Sequence, residues 1–297
     1  MNASEAGFLL LTSPLGNPER KVLTTAQLRI LAQRDRAGQK DLDDRDLQVE
    51  DLLALGYRRE MAAHILSLLS EEQLLSLYCQ RGERQACFPL TWVSSGYPQR
   101  LKQQLLEETP GCIWYKGDIS LLMQPVVALV GSRDLSQQNL DFAQMVGYEA
   151  ARQGYVLVSG NARGADQAAQ NACLRAGGKV ISVVADRLTD KPLRDHMLYL
   201  SEDGYDLAFT AQRAISRNRL IHALTERTFV AQSSLCAGGT WDGTVKNLRH
   251  GWSTVYIYAD GSPAADQLQQ MGAEGITQQD LLNFNTLPRQ LPGFLEK

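Results

Sequence analysis

Residues 126–130, VVALV, followed by GSRDLS at residues 131–136, decide the fold of this chain. The apolar run is typical of a buried strand, and the glycine and serine after it indicate a tight turn. Residues 137–153 then carry apolar side chains at helical spacing, and Gly154 ends that pattern. A strand, a turn and a helix in this order predict the first half of a βαβ unit.

The same alternation continues outward along the chain. YVLVS (155–159), KVISVV (179–184), RTFVAQ (227–232) and STVYIY (253–258) are further predicted strands, separated by predicted helices. Strands that alternate with helices predict an α/β fold, here an extended Rossmann-like, mostly parallel sheet with helices on both faces. In such sheets ligands bind at the carboxyl ends of the strands, where the strand order reverses.

We expect four regions along the chain. Residues 1–87 are predicted to form a small N-terminal helical domain of the SAM or helix-hairpin-helix kind, with TTAQLRILAQR (24–34) as one amphipathic helix. Residues 88–120 are predicted as a linker with one helix, packed on a Rossmann-like domain at 121–285, and residues 286–297 as a C-terminal tail. A helical pair with a glycine in its turn either holds DNA phosphates or packs a small domain, and the acidic DRDLQVED (44–51) disfavours phosphate contact there.

Composition excludes several classes of protein. Lys and Arg total 30 against 33 Asp and Glu, so nucleic-acid binding requires a local, salt-sensitive basic patch. The five cysteines form no CxxC pair and the four histidines lack metal-ligand spacing, which predicts no metal, no disulfide framework and a reducing cytoplasm. No apolar run reaches membrane-span length, and GFLLL near the start is too short for a signal sequence. We therefore expect a cytoplasmic protein without a membrane segment or a cofactor.

Three strand ends carry residues suited to an anion. Glycines let backbone N–H groups approach closely, and arginine offers a fork of donors that matches phosphate oxygens. The turns supply Gly131, Ser132 and Arg133 from VGSR, then Ser159, Gly160, Arg163 and Gly164 from SGNARGAD, then Gly238, Gly239 and Thr240 from AGGT. Because all three turns follow strands of one predicted sheet, we expect them to meet at one anion site.

A fourth segment, SRNRLI, points to the same site. Ser216 is interpreted as the N-cap of a helix that begins with Arg217, Asn218 and Arg219. Cations at a helix start are unfavourable unless an anion lies over them, so the segment predicts an anion there. Asp166 is interpreted as a structural cap of the helix after SGNARGAD.

No catalytic constellation is recognisable. GxxxxGK[ST] and the full GxGxxG spacing are absent, which disfavours a P-loop ATPase and a dinucleotide-binding enzyme. AGGTWDGTVKN is similar to the PGGxGTxxE signature of nucleotide phosphoribohydrolases, but Val245, Lys246 and Asn247 follow the Gly-Thr pair where that family has glutamate. Because a hydrolase needs an acid or a nucleophile, this enzyme is the weaker alternative and a non-catalytic protein is expected.

Together the motifs resemble a known family. VGSR, SGNARGAD, SRNRLI and AGGT, in this order and spacing, resemble the DprA/Smf family of DNA-processing proteins. SSGYPQRLK, PGCIWYKGD and GAEGITQQDLL are similar to other segments of that family, so the resemblance covers roughly residues 90–284. The chain is identified as a divergent member of the DprA/Smf family.

The resemblance implies a fold, a ligand and partners. It implies a positively charged Rossmann pocket that binds single-stranded DNA or a nucleotide phosphate, a homodimer, and loading of a RecA-type recombinase onto DNA. Ser132, Arg133, Ser159, Arg163, Arg217, Asn218 and Arg219 would hold phosphates, and Gly160, Gly164, Gly238, Gly239 and Thr240 would supply backbone donors.

Departures from the family pattern leave a second role open. Gln170 stands where the family has histidine, Gln232 where it has an acidic residue, and ADRLTDKP (185–192) replaces a glycine-rich loop. Divergent members also resemble components of phage-defence and toxin–antitoxin modules. The alternative is therefore a regulatory or antitoxin component that binds a toxin partner protein and DNA or a nucleotide.

Overall fold

The computed structural model of the chain describes residues 1–24, 27–28, 30 and 47–289. The chain divides into two compact units. The first comprises Met1–Tyr97, Glu107–Trp114 and Glu202–Leu207, and the second comprises Pro98–Leu106, Tyr115–Ser201 and Ala208–Lys297. Across the described stretches, no helix has both the length and the apolar character that crossing a membrane requires.

The described helices of the first unit pack around a leucine-rich core. They are α1 (Ala3–Thr12), α2 (Val49–Ala54), α3 (Arg59–Leu69) and α4 (Glu72–Arg84), and the short strand β1 (Phe88–Thr91) follows them. GFLLL belongs to α1, where leucines 9–11 are buried, and Leu52 and Ile65 join Leu11 in the core. Burial of this apolar surface stabilises helices that are short for independent stability.

Some predictions concern residues outside the described stretches. These are most of the predicted helix at residues 24–34, the first residues of the acidic stretch 44–51, and positions 290–297 of the predicted tail.

The segment predicted as a linker contains regular structure. It holds the expected helix, α5 (Gln99–Leu105), and also β1 and the strand β2 (Cys112–Gly117). Residues 202–207, which lie within the predicted Rossmann-like domain, belong to the first unit. The reason is local packing: the Tyr205 ring stacks on Tyr78 with 4.5 Å between centroids, and the Tyr78 hydroxyl donates to Asp206 at 2.6 Å.

The second unit is built on a parallel sheet. Its strands are β3 (Val126–Val130), β4 (Val156–Ser159), β5 (Lys179–Val183), β6 (Met197–Ser201), β7 (Arg227–Val230), β8 (Thr254–Tyr258) and β9 (Glu274–Ile276). They pair side by side in the order β6-β5-β4-β3-β7-β8-β9, and every pairing in this series is parallel. The predicted α/β fold with a mostly parallel sheet is confirmed.

Helices connect these strands. They are α6 (Gln137–Arg152), α7 (Ala165–Arg175), α8 (Ala211–Leu224), α9 (Gly238–His250) and α10 (Pro263–Gln270). Crossovers between parallel strands are right-handed, and the chain moves in opposite directions after β3 and after β7. Helices α6 and α7 therefore cover one face of the sheet, and α9 and α10 cover the other.

Two strands of this parallel series are not predicted by the sequence pattern. Strand β6, MLYLS, is buried throughout, but charged residues precede it in the segment that the sequence presents as irregular. Strand β9 has only three residues, too few to show an alternating pattern. Both strands are recognisable only from their pairing with β5 and β8.

Candidate anion-binding cleft

The strand order reverses at the centre of the parallel sheet. From β3 the chain builds β4, β5 and β6 to one side, and it then returns to place β7 on the other side of β3. A cleft of about 430 Å³ opens beyond the carboxyl ends of β3 and β7, where such folds bind ligands. Its lining includes Gly131, Ser132, Arg133, Arg217, Asn218 and residues 238–240. Residues of the VGSR, SRNRLI and AGGT motifs thus line one cleft. The SGNARGAD turn contributes only Ala162 and Asp166 to it.

The loop after β3 is held tightly against the end of β7. A Cβ on Gly131 would lie 2.5 Å from that of Ala165, so only glycine fits. The Ser132 N–H and hydroxyl both donate to the Gln232 carbonyl, at 3.0 and 3.2 Å. The Gln232 side chain accepts from the Ser136 N–H at 3.0 Å. The glutamine at this departure from the family pattern therefore fixes the loop, and the Ser132 hydroxyl is directed at backbone rather than into solvent.

The prediction that α8 begins at Arg217 is wrong. The helix begins at Ala211, and its N-cap is Thr210, whose hydroxyl accepts from the Arg213 N–H at 3.1 Å. Ser216 lies inside the helix and is not a cap, because the Thr210 cap starts the helix more than one turn earlier. The argument from repulsion at a helix start therefore does not apply to Arg217 and Arg219.

Arg217 is a buried cation beneath the cleft. Its side chain reaches across the ends of β4 and β5, and only 8% of the residue is exposed. Nη1 donates to the Val183 carbonyl at 2.5 Å, and Nε has no hydrogen-bond partner within the described part of the chain. Desolvation lowers the pKa of Arg217, while Asp166 and Asp186 act in the opposite direction. Arg217 therefore has a structural role in addition to lining the cleft.

Asp166 balances this buried charge. Its Oδ2 accepts from the Ala162 N–H at 3.1 Å, so it secures the turn before α7. The predicted role as a cap of α7 is wrong, because the N-cap is Gly164 and no side chain bonds there. Desolvation raises the pKa of the Asp166 carboxyl, and the charge of Arg217 opposes that rise. A carboxylate beside the guanidinium reduces the cost of burying both.

Ser159 does not reach the cleft. It is fully buried at the end of β4, and its hydroxyl accepts from Gln170 Nε2 at 2.7 Å. Gln170, another departure from the family pattern, also contacts the buried Ser182 at 3.5 Å. The predicted phosphate contact of Ser159 is therefore corrected to a structural role, because the side chain points into the interior.

The remaining arginines differ in their positions. Arg133 is exposed and lines the cleft. Arg163 forms an exposed ion pair with Asp134 at 2.8 Å, on the rim. Arg219 donates to the Ser216 carbonyl and hydroxyl, both at 2.7 Å, and is not among the lining residues. Arg133 is thus an exposed cation of the cleft lining. The predicted contact of Arg219 is not supported by its position.

The start of α9 faces the same cleft. Gly238, Gly239 and Thr240 form its first turn, and the N-cap, Ala237, has no side chain that could occupy the free N–H groups. Asn218 Nδ2 donates to the Gly239 carbonyl at 3.0 Å and so fixes this turn against α8. The first N–H groups of a helix lack intrahelical partners and favour an anion. The AGGT segment therefore places the first turn of α9, which no side chain caps, at the cleft.

His222 is a cleft residue that the sequence analysis missed. It lies one turn after Asn218 on α8 and lines the cleft floor. Desolvation lowers the pKa of His222 to about 3, so the imidazole is neutral at physiological pH. Asn247 Nδ2 lies 3.1 Å from Nδ1, which leaves the proton on Nε2. The spacing of four residues from Asn218 was the only sequence signal for it.

A second cavity of about 250 Å³ adjoins the cleft. Arg133, Ala162, Ala214 and Arg217 line both, so the two spaces share a wall. The second cavity is completed by residues from the SGNARGAD turn, the end of β5 and the segment before α8, which are Gly160, Asn161, Arg163, Ala185, Asp186 and Phe209. Gly160 and Arg163 thus belong to this neighbouring space.

The chemistry of the cleft is that of an anion receptor. Its donors are guanidinium and backbone N–H groups, and no cluster of three or more His, Cys, Asp or Glu suited to a metal ion occurs among the described residues. The cleft volume lies in the range of small-ligand pockets. The arrangement favours the oxygens of a phosphate or a phosphodiester.

Comparisons with known proteins identify relatives of this chain. The family model for DNA recombination-mediator protein A matches residues 89–282. DNA processing protein DprA of Streptococcus pneumoniae is 32% identical over 200 residues, which is 63% of this chain and 70% of that protein. This chain is also similar to the X-ray structure of DprA from Streptococcus pneumoniae. The superposition covers 95% of this chain and 98% of that one, with a TM-score of 0.72 and 26% identity.

A second solved structure shares the fold. It is DNA processing protein A from Helicobacter pylori, a protein with a unique single-stranded DNA binding mode. The superposition covers 66% of this chain and 94% of the Helicobacter pylori chain, with a TM-score of 0.55 and 21% identity.

Proposed function

Because the chain belongs to the DNA recombination-mediator protein A family, we propose that its cleft binds the phosphates of single-stranded DNA. The resemblance to the DprA/Smf family that the motifs indicate is confirmed. The family is a non-catalytic family of DNA-processing proteins, so the phosphoribohydrolase alternative is set aside.

One observation supports the proposal most directly: Arg133 and the start of α9, which no side chain caps, line the same cleft. One comes from the turn after β3 and the other from the turn after β7, at the reversal of strand order. A guanidinium and a row of backbone N–H groups together bind phosphate oxygens without reading a base. The Helicobacter relative binds single-stranded DNA, which agrees with this ligand.

We propose fewer phosphate-binding residues than the sequence predicts. Ser159 and Arg219 are left out, since one is buried and the other is turned toward its own helix. Gly160 and Arg163 line the adjoining cavity instead, and Gly164, the N-cap of α7, lines neither space. Ser132 still lines the cleft, but its N–H and hydroxyl both donate to the Gln232 carbonyl, so its role is to hold the turn in place. The proposed contacts are Arg133, Asn218, Gly238, Gly239 and Thr240, supported from beneath by Arg217.

Electrostatics set the expected behaviour of this site. The whole chain carries a formal charge of −3, so long-range attraction to DNA is weak and binding depends on the local donors. Each phosphate contact by a cation releases a condensed counterion. Affinity should therefore fall as salt rises, with a modest slope because few arginines are exposed at the cleft.

The direct test is equilibrium binding. Fluorescence anisotropy of a labelled single-stranded oligonucleotide is measured with the purified full chain at several potassium chloride concentrations. We expect saturable binding that weakens as salt increases, and weaker binding of a duplex of equal length. Absence of binding at low salt would refute the proposal.

The proposal also includes protein partners. The family resemblance supports a homodimer and a RecA-type recombinase as partners in recombination. Light scattering would detect the dimer, and a strand-exchange assay with a RecA-type protein would detect recombinase loading. The phage-defence and antitoxin alternatives stay predictions, and co-purification of a toxin protein would favour them.

A further inference from the structure

Arg227 is another buried cation, at the opposite end of the sheet from the cleft. It is the first residue of β7 and is only 4% exposed. The cleft lies beyond the carboxyl end of this strand, so Arg227 lies at the amino end of the sheet and takes no part in the proposed DNA site. A buried arginine requires a partner for its charge and acceptors for its N–H groups.

Two nitrogens of the Arg227 guanidinium have no acceptor. Nε and Nη2 are buried, and neither has a hydrogen-bond partner among the residues that the structure describes. The ion pairs found in the same stretches of the chain do not include Arg227. A buried donor without an acceptor destabilises the fold, and more strongly when it belongs to a charged group. The surroundings of Arg227 therefore lack an acidic group.

The two free nitrogens lie on one side of the guanidinium. The Nε–H bond and one N–H bond of Nη2 are parallel, and such a fork binds two oxygens of a single carboxylate or phosphate. A carboxylate is planar and carries one negative charge, as the guanidinium carries one positive charge. A phosphate monoester brings up to two charges into the interior. The fork therefore favours a carboxylate.

Aromatic side chains lie next to this fork. Phe229 follows Arg227 on the same face of β7 and stacks on Tyr256 of β8, with 5.3 Å between ring centroids. Desolvation raises the pKa of the Tyr256 hydroxyl, and the charge of Arg227 opposes that rise, so these two groups are neighbours. An ion pair beside buried aromatic rings is strengthened, because little water screens it.

The last described residues of the chain pass the same place. The Tyr256 hydroxyl donates to the Pro288 carbonyl at 2.6 Å, and Pro288 is exposed. A carboxylate can come from two sources here. One is a free organic acid. The other is Glu296, the acidic residue of positions 290–297, which lie outside the described residues.

We propose that Arg227, beside Tyr256, forms a carboxylate-binding site at the amino end of the sheet, in which Nε and Nη2 hold the two oxygens of one carboxylate. This site is separate from the cleft and does not depend on the proposed function. Its occupation stabilises the folded protein, because the ligand binds the native arrangement of β7 and β8 and not the unfolded chain.

The test follows thermal unfolding of the full chain, with sodium formate as the probe and sodium chloride of equal ionic strength as the reference. It compares wild-type protein with E296Q, R227M and R227K. R227M removes the fork, and R227K keeps the charge without the paired donors. R249M is the matched control, because Arg249 is exposed in the last turn of α9 and its loss should leave the response to formate unchanged.

Formate in excess should raise the Tm of a protein with a free fork by at least about 2 °C. If a free acid is the ligand, wild-type protein and E296Q both show this rise and have the same Tm in chloride. If Glu296 is the ligand, E296Q melts at least about 2 °C below wild-type protein in chloride, and formate restores its Tm. In both cases R227M does not respond to formate and R227K responds less.

Two results would overturn the carboxylate site. One is that neither wild-type protein nor E296Q responds to formate. The other is that R227M and R227K respond as strongly as the proteins that keep Arg227. Either result leaves the DNA-binding cleft untouched, because oligonucleotide binding is measured separately.

Discussion

Gly160 and Arg217 are in direct contact at the ends of β4 and β5. A Cβ built on Gly160 would lie 1.8 Å from Nη1 of Arg217, and that nitrogen donates to the Val183 carbonyl. Gly160 therefore leaves room for the side chain of Arg217, which lies 57 positions later in the sequence, on α8. Its role is close packing, since its φ is not in the left-handed region.

We expect G160A to displace the Arg217 guanidinium and weaken DNA binding. The methyl group forces the buried side chain off the Val183 carbonyl, at a cost of about 1–3 kcal/mol in unfolding free energy. Anisotropy and urea denaturation measure the two effects. The matched control is G7A in α1, where an added Cβ meets no atom within 4 Å and binding should not change. Wild-type affinity in G160A would contradict the role of Arg217.

R133A should weaken binding and lower its salt dependence. Arg133 is exposed and lines both the cleft and the second cavity, so its loss removes one proposed phosphate contact. The slope of log affinity against log salt should decrease in magnitude by about 1. R175A is the control, because Arg175 lies exposed in the last turn of α7, away from the strand ends that form the cleft. An unchanged slope in R133A would rule out a phosphate contact by this arginine.

S159A should affect stability without affecting binding. The Ser159 hydroxyl accepts from the buried amide of Gln170, and its removal leaves that donor short of a partner. We expect a loss of about 1–3 kcal/mol in unfolding free energy and the wild-type affinity for single-stranded DNA. Urea denaturation and anisotropy report the two quantities. A selective loss of affinity in S159A would restore Ser159 to the anion site.

His222 should make the protein sensitive to acid. Its folded-state pKa is lowered from 6.5 to about 3, so folding excludes a proton that the unfolded chain binds. The stabilisation is fully present above about pH 6.5 and is lost as pH falls toward about 3. At pH 5 the contribution lost is on the order of 2 kcal/mol.

The H222Q variant provides the comparison for this acid sensitivity. Glutamine keeps an acceptor for Asn247 and has no titrating group, so its unfolding free energy should change less between pH 7 and pH 5 than that of wild-type protein. Equal changes in the two proteins would show that His222 does not titrate as its burial implies.

The sequence predicts the fold better than it predicts the site. Long apolar strands and the helix from Gln137, ended by Gly154, are visible because their periodicity is local. The direction of a side chain is set by tertiary packing, so the sequence alone does not show that the Ser159 side chain is buried or that Arg219 donates to Ser216 of its own helix. Thr210 and Ser216 are both favoured N-caps by residue type, and the hydrogen bond from the Arg213 N–H identifies Thr210 as the cap. Phe209 has no motif, and its position at the cavity is a product of the fold alone.

Hydrogen exchange with and without single-stranded DNA tests the location of binding most directly. The N–H groups of residues 238–240 lie at the start of α9, where side-chain capping is absent, so they should exchange rapidly in the free protein. We expect a saturating oligonucleotide to slow exchange in peptides that cover residues 131–136 and 234–242, while the last turn of α7 is unchanged. Protection confined to α2–α4, with residues 131–136 and 234–242 unaffected, would contradict binding at this cleft.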